Sequence, residues 1–155
     1  MIRIVDFDPR WRAEFARLNI DWLERYFVVE PIDRTVLSDP ESHILAAGGR
    51  VLFAVDGQAR VVGTVALKHE GDGVYELTKM AVDPASQGRG IGAQLLVGAI
   101  AAFDAMQGSE LFLESSSKLD TALRLYERHG FHHRPAPRPG SHYARADVYM
   151  VFERS

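Results

Sequence analysis

The chain has no cysteine among its 155 residues. Disulfides, thiolate metal ligands and a cysteine-linked acyl intermediate are therefore excluded. It also lacks any apolar run of the roughly 18 residues that a membrane span needs, and a basic N-terminal region followed by an apolar one. The cytoplasm is the expected location. Charge of one sign is not in excess: 18 Lys and Arg against 21 Asp and Glu leave a net charge of −3, spread along the sequence. That balance offers no electrostatic grip on nucleic acid or anionic lipid. A Gly-x-Ser-x-Gly nucleophile turn is absent, which argues against a serine hydrolase. Apart from the adjacent His132 and His133, the six histidines are scattered, so no metal site is expected.

What is present suits one ordinary domain over residues 1–155, with 46% hydrophobic content and one core. Ile2 to Phe7 reads as a strand, and Asp8 can cap a helix with Pro9 at its first position. Trp11, Phe15, Leu18, Trp22 and Tyr26 then recur at helical spacing, which predicts a core-facing stripe. A short helix or turn is expected around Asp33 to Asp39. Val51 to Val55, Asp56-Gly57 and Val61 to Leu67 form a predicted hairpin. A strand from Tyr75 to Val82 precedes a helix from Ile91 to about Gln107, which Gly108 can stop. Leu111 to Leu113 is a short strand, and Ser117 with Asp120 offers a capping box for the next helix, which Gly130 ends. Pro135, Pro137 and Pro139 exclude regular structure as far as Gly140, and a last strand is expected from about Tyr143 to Phe152.

Between the Tyr75 strand and the Ile91 helix lies Gln87-Gly88-Arg89-Gly90-Ile91-Gly92. Three glycines in five positions let consecutive backbone N–H groups approach an anion, and the unpaired N–H groups at the helix N-terminus add to the attraction. A diphosphate cradle is the natural reading. The P-loop form fails for want of Gly-Lys-Ser/Thr. Gly88, Gly90 and Ala93 formally fit the dinucleotide fingerprint, with Glu114 at a later strand end as a ribose ligand. That fingerprint requires the glycines directly after the first strand of a βαβ unit, whereas Asp83-Pro84-Ala85-Ser86 intervenes here and about half the chain precedes it. An NAD site is disfavoured.

The stretch YELTKMAVDPASQGRGIG, Tyr75 to Gly92, resembles the cofactor motif of the Gcn5-related N-acetyltransferases: strand, Pro-containing loop, Q/R-x-x-G-x-G/A, helix. Downstream, Ala122 to Phe131 resembles the second signature of that superfamily, A-x-x-L-Y-x-x-x-G-F. The two motifs, in this order, cover residues 75–131. The resemblance implies an α/β (α+β) fold, with a mixed, mostly antiparallel sheet of about six to seven strands and helices on both faces. The Trp22 to Phe27 segment and the ending Tyr143 to Asp147 are also similar to acetyltransferase domains joined elsewhere to winged-helix (MarR-type) regulators.

The activity so implied is transfer of an acetyl or longer acyl group from coenzyme A to a primary amine, by direct attack in a ternary complex. The acceptor could be a small or amino-acid-like amine, a protein lysine or a protein N-terminus, and the protein a monomer or homodimer. Gln87, Gly88, Arg89, Gly90, Ile91 and Gly92 would take the diphosphate. Met80, Ala81 and Val82 would run beside the pantetheine arm, with a main-chain N–H near Val82 polarising the acetyl carbonyl. Glu76, eleven residues before Gln87, stands where relatives carry a general base. Tyr126 stands where relatives place a hydroxyl near the coenzyme sulfur, and the resemblance implies that it donates a proton to the leaving thiolate. Where many relatives have asparagine, this chain has Ser115, Ser116 and Ser117; Ser117 is assigned to cofactor binding with either neighbour as an alternative. The competing class is a noncatalytic acyl-coenzyme A sensor. Arg25, Arg34 and Arg145 are candidates for a substrate carboxylate.

Overall fold

Strands whose apolar residues face two ways, and helices with one apolar stripe each, assemble into a seven-stranded sheet between two helical layers. The computed structural model describes residues 1–141 and 145–154. In chain order the elements are β1 (Arg3–Asp6), α1 (Arg12–Tyr26), α2 (Pro31–Ser38), β2 (Arg50–Val55), β3 (Val61–Gly71), β4 (Val74–Val82), α3 (Ile91–Ala105), β5 (Glu110–Ser115), α4 (Asp120–Arg128), β6 (Phe131–Arg134) and β7 (Val148–Phe152). Strand order is β1-β2-β3-β4-β5-β7-β6, and among the described residues β4 against β5 is the one parallel pairing.

Each sheet face has its own core. Leu52, Val65, Leu77, Leu111 and Leu113 lie with Leu95, Leu96 and Phe103 of α3 and Tyr126 of α4. Phe53, Val55, Ala66 and Ala81 lie with Phe15, Leu18 and Leu23 of α1 and Leu37 of α2. The predicted α1 stripe is thus only partly the core: Phe15, Leu18, Asn19 and Leu23 are buried, whereas Tyr26 is 39% exposed.

Other expectations shift for local reasons. Asp8 caps a single 3-10 turn, Pro9–Trp11, that leads into α1, its side chain accepting from the Arg10 N–H. Helix α3 stops because Gln107, not Gly108, takes the left-handed conformation (φ 56), while the Gly108 N–H closes back on the Phe103 carbonyl. Gly108 is needed for a different reason: an added Cβ would sit 2.2 Å from the Phe103 ring. The capping box at α4 does not form. Leu119 is the N-cap, and the Ser117 N–H and hydroxyl both bond the Asp147 carboxylate, at 2.7 and 2.6 Å. Glu41–Leu45 forms a turn of π-helix and Phe131–Arg134 pairs as the edge strand β6, neither of them expected. Of the expected last strand, Tyr143 and Ala144 lie outside the described residues; residues 145–147 are not strand, and pairing begins at Val148.

Two irregularities of β4 create the site. Thr64 and Ala66 of β3 face Ala81 and Thr78, so β4 carries one extra residue between those pairs. Lys79 sits in this bulge with φ 56, a backbone conformation a lysine rarely takes. The extra residue reverses which side chains face which layer. Tyr75 and Leu77 meet the α3 core, yet beyond the bulge Met80 and Val82 do so, while Ala81 turns to the α1 core. The second irregularity is a short seam: β4 and β5 pair only from Val74↔Glu110 to Glu76↔Phe112. Past Glu76 the two strands part and a cleft opens through the sheet.

Candidate active site

The cleft is walled by Glu76, Leu77, Thr78, Lys79 and Met80 of β4, by Leu113, Glu114 and Ser115 of β5 with Ser116 beyond it, and by Tyr126 of α4. Asn19, Trp22 and Leu23 of α1, with Phe27, close the far side. Trp22, expected in the core, packs against the α1 core and also lines the cleft. By strand parity Glu76 and Glu114 share the α1 face of the sheet, since Glu76 pairs with Phe112 and Glu114 lies two residues further along β5. Tyr126 comes from the α3 and α4 face. The parting of the strands is what lets one cavity reach groups from both sides.

Glu76 is 6% exposed, and burial pushes its carboxyl up from 4.5 to about 7. Lys79 pulls against that rise; Glu114 and Glu70 add to it, and Lys68 opposes. A carboxylate that changes charge near neutrality is suited to take a proton from an amine. Burial likewise raises the Tyr126 phenol to about 12, so it keeps its proton at any ordinary pH. No hydrogen bond to its hydroxyl occurs among the described residues, and the residue lines the cleft.

Behind Glu76 lies an ionic cluster that tertiary structure alone assembles. Asp33, fully buried on α2, accepts from Arg145 at 2.8 and 3.1 Å, and the Lys79 ammonium lies 3.7 Å away. Burial alone would raise the Asp33 carboxyl; the Arg145 hydrogen bonds, the Glu30 N–H and the two cations outweigh it and hold it low. Glu30 also accepts from Arg145 at 2.8 Å. Arg145, which also lines the cleft, pairs with two carboxylates of the protein, and Arg25 is paired with Asp21. Of the three serines, Ser115 and Ser116 line the cleft, whereas Ser117 is turned to Asp147 and does not.

The glycine loop runs into the N-terminus of α3. Gln87, Gly88, Arg89 and Gly90 are exposed, and Ile91 is anchored in the core. Gly88 and Gly90 have φ of 81 and 76, and an added Cβ at either would meet no protein atom within 4 Å. The main chain there faces open space. Helices α1, α2 and α4 carry Glu14, Asp33 and Asp120 in their first turns, but α3 carries no acid. Its positive end therefore has no acidic side chain in the first turn to offset it. Met80 and Val82 lie on the same sheet face as α3, between loop and cleft. These features fit a diphosphate at the loop and a narrow arm reaching toward the cleft.

The sequence comparisons agree with this geometry. Residues 47–133 match the acetyltransferase (GNAT) domain family. The chain is 33% identical over 116 residues to the N-alpha-acetyltransferase RimI of Mycobacterium tuberculosis, covering 74% of this chain and 68% of that protein. A GNAT-family acetyltransferase from Staphylococcus aureus superposes with a TM-score of 0.87 at 20% identity, covering 98% of both chains. The PaiA N-acetyltransferase of Thermoplasma acidophilum, solved with coenzyme A, superposes with a TM-score of 0.74 at 16% identity over 99% of both. No described helix is long and apolar enough to cross a membrane. The chain belongs to the GNAT acetyltransferase family and is an N-acetyltransferase.

Proposed function

We propose that the protein acetylates a primary amine by direct attack within a ternary complex, with Glu76 as the base and Tyr126 as the hydrogen-bond donor to the leaving sulfur. The observation that carries this reading is the placement of these two residues in one cleft, reached from opposite faces of the parted sheet. Acetyl-coenzyme A supplies the activated acyl group. Backbone N–H groups of residues 87–92 would hold its diphosphate, and Met80, Ala81 and Val82 its pantetheine arm, along the β4 edge that β5 leaves without a strand partner. Ser115 and Ser116, which line the cleft, replace Ser117 as the serines able to contact that arm.

The acceptor enters on the α1 face, where Trp22 and Phe27 offer apolar surface and Glu76 and Glu114 negative charge. That wall suits an amine arriving as its ammonium ion. Glu76 takes the proton, exposing the nitrogen lone pair for attack. An alkyl thiol has a pKa near 8.5, so full transfer from a phenol at about 12 is uphill. Tyr126 therefore acts by donating a hydrogen bond to the sulfur as negative charge grows there; the C–S bond breaks as the C–N bond is completed, and the proton still on the attacking nitrogen ends on the thiolate. The relative RimI is named for acetylating α-amines, and a protein N-terminus joins small amines among the acceptor classes proposed here.

Thiol release from acetyl-coenzyme A, followed over a panel of small amines and peptides with free N-termini, tests the reading. At least one acceptor is expected to raise release well above the hydrolytic background. Coenzyme A binding with no acceptor-dependent release across the panel would instead indicate a sensor.

Tyr126→Phe is expected to lower turnover far more than it raises the Michaelis constant for acetyl-coenzyme A, because the missing bond matters only as charge develops. Its ring packs against Phe131 with centroids 6.0 Å apart, and that contact survives the change. Melting temperature should barely move. A loss of about 1 kcal/mol or more in stability with normal turnover would make the hydroxyl structural.

A further inference from the structure

We propose that Lys79 is a positioning residue for Glu76: anchored on Asp33, its buried ammonium favours the carboxylate form of Glu76, the form able to accept a proton. This rests on the reading of Glu76 as the base. Three independent observations converge on Lys79. Its backbone is in the left-handed region at φ 56, where a side chain costs of order 1 kcal/mol that glycine avoids. Its side chain is 7% exposed, and a buried ammonium persists only with compensation. The fully buried Asp33 lies 3.7 Å from it, with Arg145 securing the other side of that carboxylate.

A bulge needs none of this. Glycine would make the turn without strain, and an apolar side chain would fill the space without a counterion. Strain and burial at a lysine three residues from the base instead serve to bring positive charge into the cleft that both residues line. The charged groups facing Glu76 are Lys68 and Glu70 on β3, Glu114 on β5 and Lys79 on its own strand. Glu70 and Glu114 disfavour its ionisation, and Lys68 is half-exposed and paired with Glu70 at 3.5 Å. Lys79 is the cation with the greatest effect on Glu76. Burial holds the Lys79 ammonium below its usual range; Asp33 and Glu76 work against that fall and Arg145 adds to it. Anchor, ammonium and base form one coupled line across α2, β4 and the cleft.

Carboxyl carbon NMR of the full chain labelled at glutamate Cδ tests the coupling, with the Glu76 signal identified by its loss in Glu76→Gln. Lys79→Met should raise the Glu76 titration midpoint by about one unit or more. Lys79→Arg, which keeps the charge, should restore it toward the wild-type position. The acid limb of the kcat/KM profile should move with the midpoint. Should Lys79→Met fail to fold, the reciprocal measurement serves: in Glu76→Gln the Lys79 Nζ signal should titrate at lower pH than in wild type. An unmoved Glu76 midpoint in folded Lys79→Met, or an unmoved Lys79 titration in Glu76→Gln, overturns the role of Lys79. Wild-type turnover by Glu76→Gln overturns the base reading itself, and the proposal with it.

Discussion

Gly90→Val is expected to abolish coenzyme A binding in a protein that still folds. The position is left-handed at φ 76, so a β-branched residue there is strained and should cost about 1–3 kcal/mol, a drop of several degrees in melting temperature. No protein atom lies within 4 Å of the new Cβ, so packing contributes nothing further. The added methyl groups instead occupy the space in front of the α3 N-terminus. Calorimetry should show at least about a hundredfold loss of affinity for coenzyme A, the scale of about 3 kcal/mol. NAD should bind neither protein. Unchanged coenzyme A affinity in the folded variant would take this loop out of the site.

Glu76→Gln should divide turnover from stability. Near neutral pH, turnover is expected to fall by roughly ten- to a thousandfold, the range for loss of a general base. The deficit should shrink at higher pH as the acceptor amine, with a pKa near 10, loses its proton unaided. Stability should move the other way. Because the folded-state pKa is raised, the native protein holds a proton that the unfolded chain releases between pH 4.5 and about 7, and stability is lost as pH rises through that window. The rise from 4.5 to about 7 corresponds to about 3 kcal/mol. Glutamine carries no such penalty, so the variant should resist denaturant better than wild type at pH 8 and about equally at pH 4. A variant equally impaired at every pH would assign Glu76 to positioning rather than proton transfer.

Where the chain's own periodicity carries information, the fold could be read from sequence. The β2–β3 hairpin, β4 and α3 were anticipated because alternation and the 3.6-residue stripe are local. The open turn at Gly88 and Gly90 was legible because few other residues take the positive φ it needs. The Lys79 bulge was not, since reversal of facing within YELTKMAV leaves no mark on composition. The bond from the Ser117 hydroxyl to Asp147 was not legible, because its partner lies thirty residues on. The ion pairs of Arg145 were hidden because its partners, Glu30 and Asp33, are more than a hundred residues away in the chain. Strand β6 was too short, at four residues, to display a period. Long-range charge pairing settles the details of the site, and it is the property a single sequence hides best.

The three-rung seam between β4 and β5 has a consequence for the protein's lifetime in a cell. Among the described residues, two parts of the sheet, β1 to β4 and β5 to β7, are joined by strand pairing over that short stretch alone. On the proposed reading, the donor lies where further rungs would be and bridges the parted strands. Binding that favours the native state adds RT ln(1 + [L]/Kd) to its stability, about 2.7 kcal/mol at a hundredfold excess over Kd. Resistance to proteolysis would then follow the supply of acyl donor, and a starved cell would clear this protein faster than a fed one.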